Sequence, residues 1–169
     1  MKVTSAEANK LLKKLSEDYE NIILEERNSR RFVAATTEDI ETVRPEYDYG
    51  ETKKKLDDLA AKIRRVKHAI NVFNTTHKVK GYDMTIDEVL VYIPQLSSKK
   101  QKLSGMMNVL PKERDTSRVN GNIIDYVYAN YDIKEAARDF DAVSVELSNV
   151  QTALDVMNNS VKFDIDIDI

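Results

Sequence analysis

The run DIDIDI places Asp164, Asp166 and Asp168 on alternate positions, and carboxylates gathered in one place are what a divalent cation takes as donors. Along a strand, however, residues i and i+2 stand about 6.6 Å apart, and no glycine-punctuated loop draws them into one coordination shell. A solvated charged face that protects a strand edge is the better reading. His68 and His77 are nine residues apart, not the i, i+4 spacing of a helical zinc pair, and the chain has no cysteine. It also carries no phosphate-cradling glycine loop, nucleophile elbow or recognisable triad. No catalytic residue, metal or cofactor is therefore expected, and the chain reads as a non-enzyme.

Three other segments bear on binding. In INVFNTTHK, Asn71, Asn74, Thr75, Thr76, His77 and Lys78 cluster where helical patterning stops. Small polar side chains end helices and shape turns, and Gly81 is available for a positive φ; an exposed tip on a rigid scaffold can equally bind a protein partner. In KIRRVKH, Lys62, Arg64, Arg65 and Lys67 surround a helical seam and could contact phosphates. The last nine residues, VKFDIDIDI, alternate strictly, with Val161, Phe163, Ile165 and Ile167 on one face. That apolar face needs cover, from the connector of the same chain or from a second copy acting through an oligomer strand.

These segments are positioned by long helices. Thr4 and Glu7 form a capping box for a first helix over 1–31, whose stripe is Ala8, Leu12, Leu15, Tyr19 and Ile22. Residues 32–48 lose the period and include Pro45, which predicts an extended connector with a short strand at 32–36. Leu56, Leu59, Ile63, Val66, Ile70 and Phe73 step by three and four, the coiled-coil seam of a helix over 51–76. Thr85 and Glu88 open a third helix over 85–110, kinked at Pro94. A β segment follows at 119–129 with an Asn120-Gly121 turn, then a fourth helix over 132–158 and the terminal strand over 161–169. The fold class is mainly α, an antiparallel bundle of about four long coiled-coil-like helices with a small β-sheet built from the connectors and the C-terminal strand.

At 169 residues with 33% charged and 7% aromatic side chains and no tryptophan, the composition suits a single helical domain. Neither a signal-peptide core nor a long apolar run is present, which predicts a cytoplasmic protein for which the membrane is not an expected partner. The net charge of −3 hides an asymmetry. Residues 51–80 hold nine Lys/Arg against three acids, whereas 132–169 hold three against nine.

The stretch from Ile63 to Leu103, IRRVKHAINVFNTTHKVKGYDMTIDEVLVYIPQLSSKKQKL, together with ANYDI and QTALDVMNNSVKFDIDI, resembles an uncharacterised bacterial family often labelled septicolysin-like. The resemblance rests on Asn74, Thr75 and Thr76 before MTIDE and on the Asn158-Asn159-Ser160 exit into the terminal strand; Pro94 departs from the family pattern. It implies the helical architecture and brings no established activity, although the label implies a membrane-active protein. The leading functional expectation is a self-associating interaction protein, a homo-oligomer with a protein partner. Nucleic-acid binding through the basic flank is the alternative, and membrane lysis by the tail a third.

Overall fold

The computed structural model describes residues 1–116 and 124–167. In chain order the elements are β1 (Lys2–Thr4), α1 (Ser5–Ser29), α2 (Ile40–Val43), α3 (Tyr49–Thr76), α4 (Ile86–Met107), β2 (Lys112–Arg114), β3 (Tyr126–Tyr128), α5 (Ile133–Ser160) and β4 (Lys162–Asp164). The protein is mainly helical with small antiparallel two-stranded sheets. Its described residues gather into two compact units, Met1–His77 with Met157–Ile169, and Lys78–Val156, a division to which no linker composition pointed. Among the described residues no helix is long and apolar enough to cross a membrane.

The first unit is built on α1 and α3. Ala8 and Leu15 of α1 share a core with Val66 and Ile70 near the end of α3, while Ile22 and Ser29 meet Thr52 and Lys55 near its start, so the two helices run antiparallel. The seam legible in the sequence is the contact face: Val66, Ile70 and Phe73 are buried and Leu59 and Ile63 half-buried. Thr4 starts α1 with the expected capping box, its Oγ1 accepting from the Glu7 N–H (3.2 Å) while its own N–H donates to Glu7 Oε2 (2.9 Å).

Over this helix pair lies a sheet whose second strand was not anticipated. β1 pairs antiparallel with β4, in the register Lys2↔Asp164, Val3↔Phe163, Thr4↔Lys162. Three residues ahead of a capping box are too short to show a period, which is why Lys2–Thr4 escaped notice. The tail's alternation holds: Ile165 and Ile167 are buried with Val3 against α1 and α3, while Lys162, Asp164 and Asp166 face solvent. Its cover thus comes from the chain's own helices and β1, not from the connector. The regular strand covers only Lys162–Asp164, shorter than 161–169; at its Lys162 end the partner strand stops at Thr4, whose N–H turns away to cap α1.

The connector also differs. Residues 32–36 form no strand: Val33 is 92% exposed, so nothing stabilises an extended run there. Local side-chain bonds take over instead, with Glu38 Oε2 accepting from the Ala35 N–H (2.7 Å) and Asp39 capping the single turn of α2 (3.1 Å to the Glu41 N–H).

In the second unit α4 and α5 run antiparallel. The Tyr92 hydroxyl near the start of α4 meets Glu146 Oε1 (3.5 Å), and that of Tyr131, just before α5, donates to the Met106 carbonyl (2.7 Å) at the end of α4. The helix over α4 continues through Pro94 without a break. Asp132 caps α5 as expected, accepting from the Lys134 N–H (2.8 Å). β2 and β3 form their own ribbon, Lys112↔Tyr128 to Arg114↔Tyr126, rather than joining β4 in one sheet. Asn120-Gly121 lies outside the described residues.

Ile165, 1% exposed, is the deepest of the tail's described residues. Ile165→Ala should lower stability by about 2–5 kcal/mol in urea unfolding, whereas Asp166→Ala, one position on at an exposed site, should change it by less than about 0.5 kcal/mol.

Candidate functional site: a groove between α3 and β4

The expected tip residues divide by role. Thr75 and Thr76 bond back to the helix, Thr75 Oγ1 to the Asn71 carbonyl (2.9 Å) and Thr76 Oγ1 to that of Val72 (2.7 Å). The His77 N–H closes the last turn on Phe73 O (3.1 Å), and its Nδ1 lies 3.0 Å from Thr76 Oγ1. Asn71 is exposed and Asn74 half-buried. These residues terminate α3.

In the second unit, Lys78 starts a tight turn closed by an isolated bridge to Thr85 and by the Val79 N–H to the Met84 carbonyl (2.9 Å). Gly81 takes φ +89°, a left-handed conformation that a side chain would strain. Lys78 pairs with Asp83, so its ammonium is engaged within the turn. Thr85 and Glu88 complete the second capping box.

Thr76 and His77 have a second role on the flank of α3. Together with Arg65, His68, Ala69, Val72 and Phe73 they line a groove of about 470 Å³, a volume within the range of about 300–1,000 Å³ usual for ligand clefts. Its other wall is the tail: Phe163, Asp164 and Asp166. At its floor the Phe73 ring stacks on Phe163, centroids 4.5 Å apart and planes 20° apart, and the His77 ring centroid lies 4.3 Å from that of Phe73, the planes tilted by 34°. The groove therefore has an aromatic base, a cationic wall in Arg65 and an acidic wall in Asp164 and Asp166. Among the described residues the ion pairs are Lys13–Glu17, Arg44–Glu41, Lys55–Glu51 and Lys78–Asp83. None neutralises Lys62, Arg64, Arg65 or Lys67, or the aspartates of the groove.

Sequence reasoning placed Arg65, Thr76, His77 and Phe163 in three separate candidate sites; the fold brings them to one. It missed Ala69 and Val72, although Arg65, Ala69, Val72 and Thr76 recur at steps of four and three, a second stripe beside the buried one. His68 and His77 share the groove despite their spacing, but among the described residues no three His, Cys, Asp or Glu side chains converge on a metal position. A second cleft, between the far end of α1 and the start of α3, is lined by Glu25, Glu26, Glu46, Asp48 and Glu51. There Tyr47 donates to Glu26 Oε1 (2.8 Å), which raises the tyrosine pKa.

Backbone and side-chain donation from Thr85 holds the Glu88 carboxyl below its ordinary range. A depressed folded-state pKa means that this stabilisation is full above the ordinary glutamate range and is lost as pH falls through the lowered value. Glu88→Gln keeps an acceptor but does not titrate, so its thermal stability should fall less steeply on acidification than that of the wild type; identical slopes would contradict this role for Glu88.

No protein-family model matches the chain, and no curated protein does. Among solved structures it is similar to a functionally unknown conserved protein from Corynebacterium diphtheriae, with a TM-score of 0.60 and 17% identity over 97% of this chain and 100% of that one. At that identity the likeness shows the fold alone: mainly helical, with small antiparallel sheets.

Proposed function

We propose that this chain is a non-enzymatic, self-associating interaction protein that works through the groove between α3 and β4. The observation that carries the reading is the juxtaposition of that groove with a strand edge. The tail is anchored by Ile165 and Ile167 yet presents Phe163, Asp164 and Asp166 beside an uncovered helical flank, where Val72 is 45% exposed. Apolar surface bordered by charge and an open strand edge is the chemistry of strand addition, in which main-chain bonds give affinity and neighbouring pockets give specificity.

A membrane-active role, which the septicolysin-like resemblance implies, requires a segment able to turn an apolar face to lipid. Ile165 and Ile167 are committed to the core of the first unit, so the tail supports association better than insertion.

Light scattering at micromolar concentration should give a mass above the 19.4 kDa of one chain, unchanged by nuclease, and Val72→Glu should reduce it to that of one chain. A single-chain mass for the wild type at every concentration would sink the reading. Loss of the larger species on nuclease treatment would transfer the role to the basic flank of Lys62, Arg64, Arg65 and Lys67, with a steep salt dependence.

A further inference from the structure

The parity of the β1–β4 ladder shows which groups its outer edge offers. The Met1 nitrogen donates to the Ile165 carbonyl (2.8 Å), and the Ile165 N–H donates back to the Met1 carbonyl (2.8 Å), so these two residues form a doubly bonded pair. Bonded and non-bonded pairs alternate along an antiparallel ladder. Val3↔Phe163 is then the next bonded pair, and Lys2↔Asp164 and Thr4↔Lys162 are not. The main-chain N–H and C=O groups of Lys162 and Asp164 therefore point away from β1, toward the open edge. Thr4 shows the same parity on the other strand, where its N–H turns outward to Glu7 Oε2.

An incoming antiparallel strand has to present its own outward groups at matching positions. We infer that the occupant of this edge is β4 of a second copy, paired about a two-fold axis beside Phe163, so that Lys162 of each chain lies opposite Asp164 of the other. This partner assignment rests on the self-association proposed above. In this register both outward-facing residues of each strand meet outward-facing residues, giving two doubly bonded pairs, and both pairs unite opposite charges. Cross-strand neighbours of opposite charge stabilise a sheet, and like charges directly opposite destabilise it. Moving the axis to either neighbouring position of the same parity sets Lys162 against Lys162 or Asp164 against Asp164. The short sequence Lys-Phe-Asp thus selects one register.

The side chains agree with the backbone. Residues facing each other across a sheet project to the same side, so the two Phe163 rings both project toward the helices. A two-fold axis normal to the sheet then brings the α3 flanks of the two chains together beneath it. The groove of each copy is filled by the other, and Val72 and Ala69 gain cover. The two ladders become one four-stranded sheet, ordered β1-β4-β4-β1, and an isolated two-stranded ribbon is replaced by one of independently stable size. The contact is isologous, the kind that closes a dimer.

Charge exchange across the axis tests the register. Lys162 and Asp164 are both exposed; Lys162→Asp adds an acid near Glu7 and Asp164→Lys sets a lysine opposite Lys2 of β1, so a thermal melt of each variant accompanies the mass measurement to check that the fold is kept. Each of Lys162→Asp and Asp164→Lys alone places like charges opposite one another and should run as a single chain in light scattering, with unchanged circular dichroism. Mixing the two variants restores opposite charges at both positions and should return the dimer mass, as should the double exchange within one chain. A wild-type dimer that neither single variant weakens, or a mixture that stays monomeric, overturns the register and leaves self-association through some other surface. A monomeric wild type overturns both this inference and the self-association beneath it.

Discussion

The packing of Val3, Ile165 and Ile167 onto the α1–α3 pair is the contact on which the first unit depends. Val3 lies more than 160 positions from Ile165 and Ile167 in the chain, and ordering so distant a segment carries an entropy cost that only apolar burial and ladder bonds offset. Once it is made, the consequences follow in order. Ile165 in the core sets the face of the tail; the face sets Phe163 onto Phe73; and the main-chain bonds between Met1 and Ile165 set the parity of the ladder. The groove and its charged walls exist because the tail is held there.

Much of this was legible. The capping boxes at Thr4 and Thr85, the three-four stripe of α3 and the strict alternation of the tail each reflect one local rule, and each local rule was strong. What stayed illegible was non-local or short. β1 is three residues long and owes its existence to β4, so no period announces it. The connector's strand-like residues, Phe32 and Val33 among them, met no surface to bury against, and Asp39 used its side chain to start a helical turn instead. Strand propensity reports fit to a half-buried face, and here that face is missing.

The candidate residues behaved in a similar way. Thr75 and Thr76 bond back to the Asn71 and Val72 carbonyls one turn earlier in α3, a local role that their type predicts, while Arg65 and His68 gain significance only from the tail beside them. A stripe one position away from the core stripe reads as ordinary helix surface until a second element lies along it. The same tail carries three acidic positions in sequence; Asp168 lies outside the described residues, and the fold gives the other two different settings, Asp164 at a strand edge and Asp166 beyond the ladder, both on the groove wall.

Amide hydrogen exchange along the tail, followed as a function of protein concentration, measures the open edge most directly. Ile165 should be protected at every concentration, because its N–H is bonded to Met1, while Lys162 and Asp164 should exchange rapidly in dilute solution and become protected as concentration rises. Slow exchange at Lys162 and Asp164 in the most dilute sample would show an edge already closed within one chain, and rapid exchange there at all concentrations would show an edge that no second copy covers.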